Sequence, residues 1–422
     1  MAYHNAKTAK AAGALKHLHT LELKAGMYVA DPGIDWRERP YLYMREGLLV
    51  SDDEVRNIAA GGYLEVYIDP DRSPAYTDVA SPEVELAGAE VRGKAPVGHK
   101  VPFAVEVRAG AEAHDAAVGY ARAFMSDIRF GKLDMSPASN IVERIMRSLE
   151  NNTDALQSLC RLRRTDSYTY MHCVNVSIIS SMFARYVGKE TQTIRAIGLA
   201  GLFHDLGKAL VPPQILNAPR RLSDTERLIM NTHPTLGYEQ IENVPDIIPE
   251  VPQAMLHHHE CYNGAGYPSG LSGDDVSEVG YIVALADIYD ALTSKRIYKD
   301  AMPPQRALGI MYEMRGKALH PEMVAAFIRM LGVYPVGSVV ELSDGSLGVV
   351  SAGNTDMPVK PVVIPVKDAD GAYLPKSVLD LASPDNTLSI VRSVPESTAG
   401  IDPAEVLGLP AGPPAATQRH KL

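Results

Sequence analysis

Three cysteines in 422 residues, Cys160, Cys173 and Cys261, have neither the number nor the spacing of a disulfide framework or a zinc ribbon. No apolar run reaches the roughly 18 residues of a membrane span, and the amino-terminal stretch lacks the apolar segment of a signal peptide. Basic residues are outnumbered 41 to 51, which leaves a formal charge of −10. That balance argues against gripping a nucleic acid duplex, which needs a basic face. These absences lead us to expect a cytoplasmic protein in a reducing compartment, with no membrane and no duplex partner. A small anionic ligand stays open, because local cations or metals override net charge. The rest of the composition, 46% hydrophobic and 22% charged, is that of ordinary globular domains, and the length suggests two to four of them.

The pattern along the chain changes three times. Residues 1–107 read as a β-rich amino-terminal domain followed by a linker. The alternating runs LKAGMYVADPG and GYLEVYIDPD are closed by Pro, Gly or Asp, and LLVSDDEVRNIAAGG between them reads as a strand and then a helix capped by Ser51 or Asp52. Over 108–334 apolar residues recur at three- and four-residue spacing, so this region reads as a helical domain. Residues 335–394 read as a small β module with a hairpin at Asp344-Gly345. The remaining 395–422, rich in Pro and Ala, read as a flexible tail. The expected fold class is therefore multidomain and mainly α, a helical bundle core with a β-rich amino-terminal domain and a small carboxy-terminal β module.

What the chain has in unusual supply is histidine, 13 in all, crowded with acids in the helical region. His172 lies on an apolar helix face, where a lone histidine is more often a core residue. His204-Asp205 sits near a helix end, after Gly198 and Gly201 that would admit a close neighbouring helix, and before Gly207 and Lys208. His233 precedes a proline, and His257-His258-His259-Glu260 forms a polar run. Asp287 interrupts the apolar run Tyr281–Ala286, where an unpaired carboxylate would cost several kcal/mol; a salt bridge to Arg296 or Lys299, or a metal, would relieve it. Taken together, imidazoles and carboxylates without thiolate suit a pair of transition metals, Fe, Mn or Zn, and such a centre suits phosphoester hydrolysis.

With these motifs in order the sequence resembles the HD-GYP family of cyclic-di-GMP phosphodiesterases, a branch of the HD-type metal-dependent phosphohydrolases. The motifs are Tyr168-Thr-Tyr-Met-His172, His204-Asp-Leu-Gly-Lys208, His233-Pro, His258-His-Glu260, Asn263-Gly-Ala-Gly-Tyr-Pro268, Asp287-Ile-Tyr-Asp290, and Arg296, Tyr298 and Lys299. The resemblance implies an HD-type helical core and two divalent metals, Fe or Mn foremost. His172, His204, Asp205 and Asp287 would hold one metal; Asp205 would bridge to a second held by His233, His258 and His259, with His257 left out. It implies that Asp205 and Lys208 serve catalysis, and that Lys208, Gly266, Tyr267, Asp290, Arg296 and Lys299 meet the substrate. The implied reaction is hydrolysis of cyclic-di-GMP to linear pGpG, and onward to GMP, by metal-hydroxide attack. Cys173 stands where the family commonly has Ser, and Asn263 where it commonly has Asp.

Three-metal members of the family supply a glutamate four residues before the first ligand histidine. Tyr168 stands there, and Asp166 is turned away from that face, so two metals are expected. The amino-terminal segment is similar to a domain of unknown function that often precedes HD-GYP modules; its Trp36, Arg37 and Arg39 could form a binding surface. A protein partner or a homodimer, through that domain or the GYP region, is left open. So are two other functions: hydrolysis of another cyclic dinucleotide or a nucleotide, and a cyclic-di-GMP receptor without turnover.

Overall fold

A computed structural model gives the fold. It describes residues 15–20, 23–30, 42–43, 45–52, 54–55, 58, 65–74, 99–128, 134–163, 168–218, 220, 222–245, 247–294 and 302–410. Trp36, Arg37, Arg39, Asp166, Arg296, Tyr298 and Lys299, the side chain of Tyr168 and the stretches 75–98 and 411–422 lie outside the described residues.

The amino-terminal strands are β1 (Lys16–His19), β2 (Tyr28–Val29), β3 (Leu42–Tyr43), β4 (Gly47–Leu48) and β5 (Glu65–Ile68). They form one sheet in the order β1-β5-β2-β4, with β3 pairing parallel to β5. One face buries Leu18, Val29, Tyr43, Val66 and Ile68. Ser51 caps the helical turn after β4: its Oγ accepts from the Glu54 N–H, and Glu54 Oε2 accepts from the Val50 N–H.

The helical domain starts at α1 (Phe103–Asp127), five residues earlier than the periodicity suggested, and Pro102 at its N-cap lacks only an N–H that the helix does not use. There follow α2 (Ser136–Asn151), α3 (Thr153–Leu162), α4 (Tyr168–Tyr186) and α5 (Thr191–Phe203). Helix α2 has Pro137 in its first turn and a buried stripe of Ile141, Val142, Ile145 and Leu149. Asn152 caps α3 by accepting from the Ala155 N–H. Helix α5 packs against α4 through its glycines. A Cβ on Gly201 would lie 2.8 Å from Ser177 Cα, and Ser177 Oγ donates to Gly198 O at 2.6 Å.

Short helices carry the next part of the chain: α6 (Pro213–Leu216), α7 (Asp224–Met230), α8 (His233–Ile241) and α9 (Glu250–His257). Then come α10 (Glu278–Thr293), α11 (Pro304–Glu313) and α12 (Pro321–Leu331). Helix α10 is almost wholly buried, with Ser277 capping it through the Gly280 N–H. It runs against α4, and Phe183, Tyr289 and Phe327 interlock edge to face where α4, α10 and α12 meet.

The β module is an antiparallel meander of β6 (Val339–Leu342), β7 (Leu347–Ala352), β8 (Val362–Lys367), β9 (Leu379–Asp380) and β10 (Ile390–Ser393), in the order β10-β6-β7-β8-β9. Gly345 has φ +83° at the β6–β7 turn, as the Asp-Gly signal required. The expected flexible tail is in part folded. Helices α13 (Glu396–Ala399) and α14 (Pro403–Leu407) pack on the module and bury Ala399, Ile401 and Leu407 beside Val336, Val339 and Leu162 of α3. Pro and Ala gave no periodicity there, yet a few isolated apolar side chains suffice once a sheet face exists to receive them. No helix among the described residues is long and apolar enough to cross a membrane.

Candidate metal centre

Two sets of side chains converge where α4, α5, α10 and the ends of α8 and α9 meet. In one, donor atoms of His172, His204 and Asp287 lie within 4.8 Å of one another; in the other, those of Asp205, His233, His258 and His259 do. The two sets touch, for Asp205 Oδ2 is 3.4 Å from His204 Nε2 and Asp205 Oδ1 is 3.3 Å from His233 Nε2. All seven sequence-expected ligands are thus brought together. His257 is not among them: its Nδ1 faces Ser277, accepting from the backbone N–H at 3.1 Å.

Local chain geometry explains the convergence. His204 ends α5 and Asp205 follows in the turn that leads to a 3-10 helix over Leu206–Leu210. A Cβ on Gly207 would lie 1.9 Å from His233 O and 2.6 Å from Gly237 N. Glycine therefore lets the start of α8 lie directly on the turn and carries His233 to Asp205. His258 and His259 leave α9 at its carboxy-terminal end.

Hydrogen bonds settle which ring nitrogen faces inward. Nδ1 of His204 faces Gly201 O at 2.8 Å, Nδ1 of His233 faces Met230 O at 3.0 Å, and Nδ1 of His258 faces Met255 O at 2.6 Å. A carbonyl only accepts, so each Nδ1 carries the proton and each Nε2 presents a lone pair to the centre. His172 Nδ1 is 2.7 Å from Asp290 Oδ2, and its Nε2 is 3.0 Å from Asp287 Oδ1.

His204 Nε2 and Asp205 Oδ1 are buried without a hydrogen-bond partner, a costly state in protein alone. Five imidazoles and two carboxylates converging at one place fit divalent transition metals, which would relieve that cost. His172, His204 and Asp287 would hold one ion, His233, His258 and His259 the other, with Asp205 between them.

The charges fit the same use. Burial holds His258 and His259 well below the ordinary imidazole pKa, as do the neighbouring imidazoles; burial also lowers His233 despite Asp205. These rings are neutral and ready to ligate. Burial opposes charge on His172 too, but its bonds to Asp287 and Asp290 outweigh that and raise it to about 9. Asp205 and Asp287 are held well below the carboxylate range against their burial, by Lys208 and His204 in the first case and His172 in the second. Lys208 Nζ donates to Asp205 Oδ2 at 2.7 Å while its side chain remains 24% exposed, so the cation stands at the mouth of the centre.

One of the expected substrate contacts is corrected. Asp290 is buried and accepts from His172, Asn175 and Ser294, so it stands behind a ligand and does not face substrate. Gly266 is crowded by the chain's own backbone: a Cβ there would lie 2.3 Å from Cys261 N and 2.5 Å from Glu260 Cα. It lets the GYP loop fold down on the His-His-Glu segment. Tyr267 stacks on His259 with ring centroids 4.7 Å apart, at the edge of the centre. Asn263 does what an aspartate would do, accepting from the Ala265 N–H through Oδ1.

Glu260 was named only as part of a motif. Its buried carboxylate accepts from the Ser269 and Leu271 N–H groups and clamps the GYP loop. Asn175 was missed, although the argument that singled out Asp287, a polar group in an apolar helical run, applies to it equally.

Comparison with known proteins agrees with this geometry. An HD domain model matches residues 144–323, a domain of unknown function (DUF3391) matches 15–138, and a KOW domain associated with HD domain matches 339–400. A cyclic di-GMP phosphodiesterase of Pseudomonas aeruginosa is 32% identical over 93% of each chain. A cyclic di-GMP phosphodiesterase response regulator of Xanthomonas campestris is 33% identical over 46% of this chain and 52% of its own. A 3'3'-cGAMP-specific phosphodiesterase of Vibrio cholerae is 34% identical over 40% of this chain and 36% of its own. With full-length similarity of this order and the motif residues gathered at one centre, the chain belongs to the HD-GYP family of HD-domain phosphodiesterases.

Proposed function

We propose that this chain hydrolyses a 3′–5′ phosphodiester bond of cyclic-di-GMP, giving linear pGpG and, by a second cleavage, GMP. The observation that carries the reading is the pair of ligand sets meeting at Asp205, with Lys208 at their mouth. Two divalent ions, Fe or Mn, would supply Lewis acidity and an activated water when bound there.

The protein's own groups do the rest. Asp205 joins the two halves and fixes their separation. Lys208 presents a cation to the non-bridging phosphate oxygens, where charge builds in the transition state. Tyr267 and His259 offer a stacked aromatic edge for the dinucleotide to lie against. Arg296 and Lys299 remain the proposed grip on the second phosphate, and Arg296→Ala should raise KM for cyclic-di-GMP without lowering metal content.

The test is metal analysis of protein purified without chelator, combined with chromatography of products from cyclic-di-GMP and, in parallel, 3′,3′-cGAMP. Metal-dependent release of pGpG is the expected result. The Vibrio cholerae relative's name makes 3′,3′-cGAMP the second reading. Preference for it would replace the substrate and keep the centre. Binding of cyclic-di-GMP without any product would replace hydrolysis by reception.

A further inference from the structure

Four helices meet at one amide behind the His172 half of the centre. Asn175 stands on α4 one turn after His172 and is buried, 1% exposed. Its Nδ2 donates to Asp290 Oδ1 on α10 at 2.8 Å and to Cys160 O in α3 at 3.1 Å. Both partners only accept, so the amide nitrogen has one possible place. The amide oxygen therefore faces His114 Nε2 on α1, 3.2 Å away, and His114 must carry its proton on Nε2. His114 Nδ1 is the lone-pair nitrogen, buried and without a hydrogen-bond partner. Asp290 completes the route, taking Ser294 Oγ on Oδ1 at 2.8 Å and His172 Nδ1 on Oδ2 at 2.7 Å.

We infer that Asn175 is a positioning residue for the metal ligand His172, acting through Asp290, and that His114 fixes the orientation of Asn175. A carboxylate behind a ligand imidazole sets its tautomer, turns its ring and raises its basicity. Asp290 does this only while its own rotamer is held, and among the described residues Asn175 reaches Asp290, α3 and α1 together. Removing its side chain leaves Asp290 Oδ1 with Ser294 alone and strands Cys160 O and the His114 N–H. Nor is the placement of the hub incidental to the domains. Helix α1 lies within the stretch matched by the amino-terminal domain, and α3 is bonded to the β module by Arg161 Nη1 to Val336 O at 3.2 Å.

This inference rests on the metal-centre reading, and the test keeps the two apart. Manganese binding would be titrated calorimetrically on the full chain for the wild type, Asn175→Ala, His114→Leu and His114→Gln, with circular dichroism as the check on folding. Asn175→Ala should weaken one of the two binding events by about 10–100-fold, the usual effect of losing an outer partner. His114→Leu should weaken the same event less. His114→Gln should restore it, because a glutamine amide nitrogen can stand where Nε2 stands. Should Asn175→Ala fail to fold, the His114 pair decides. Wild-type affinity at both events in Asn175→Ala and His114→Leu, or a Gln variant as poor as Leu, overturns the inference. A wild type that takes up no metal overturns the metal-centre reading and this inference with it.

Discussion

His172, His204 and Asp287 reach the centre from long helices packed in the core, α4, α5 and α10, whereas His233, His258 and His259 come from the ends of the short helices α8 and α9. The first set has a carboxylate outer partner, Asp290, and a helix of buried neighbours. His204 leans on a backbone carbonyl one turn back, as His233 and His258 of the second set do, but the placing of the second set depends on how closely α8 meets the His-Asp turn. One half is thus fixed by core packing and charge, the other by backbone fit. Asp205 stands with the second set and touches the first at His204 Nε2.

The comparison breaks completely at that point of contact. Asp205→Ala should lose both metals and lower hydrolysis by about 10³-fold or more, the scale expected when a main electrostatic element is removed. Elemental analysis and product release measure this. Full metal content with full turnover would show that the halves do not depend on Asp205.

Gly207→Ala should separate the halves. A methyl 1.9 Å from His233 O cannot be accommodated by side-chain motion, since the obstacle is backbone. The start of α8 must move, at about 1–3 kcal/mol for such overpacking. One metal should be lost and the other retained. Loss of both in equal measure would mean that the second half also supports the first.

A milder change tests the loop over the centre. Glu260→Gln replaces a carboxylate that accepts from Ser269 and Leu271 by an amide with a single acceptor oxygen. Hydrogen bonds to a charged group contribute about 1.5–3 kcal/mol. Part of this should appear as a several-fold higher KM for cyclic-di-GMP with both metals still bound, read from steady-state kinetics and elemental analysis. A fall in kcat with KM unchanged would place Glu260 in the chemistry instead.

The sequence showed the ligands better than their supports. Histidines and acids in a helical region are conspicuous, and Asp287 stood out because a carboxylate in an apolar run demands a partner. Asp290, one turn on, shares that face, but whether it meets substrate or a ligand depends on which side of α10 lies against α4, which only packing decides. Gly266 was expected to meet substrate, and the group that packs against it is the chain's own Cys261–Glu260 backbone. The hairpin at Asp344-Gly345 was legible because its turn requires positive φ. Helices α13 and α14 were not, because their burial depends on a sheet assembled from residues distant in sequence.

The last expected effect is the pH dependence of the metal-free protein, and it carries the comparison in its sign. His172 has its folded pKa raised to about 9. From the ordinary value near 6.5 upward, the native state holds a proton that the unfolded chain releases, so stability falls as pH rises from about 6.5 to 9. His233, His258 and His259 are shifted the other way. Below about 6.5 the unfolded chain binds protons that these buried rings refuse, so stability falls as pH falls. Chelator-stripped protein should therefore melt highest near pH 6.5 and lower on either side. Metal binding must displace the His172 proton at pH 7, so one of the two binding events should release a proton to buffer and the other should not. Calorimetry in two buffers of different ionisation enthalpy reads this directly. Equal proton release at both events would mean that the halves are electrostatically alike, and His172→Ala should abolish the proton release and shrink the alkaline side of the melting profile, to which His99, raised by Asp154, also contributes.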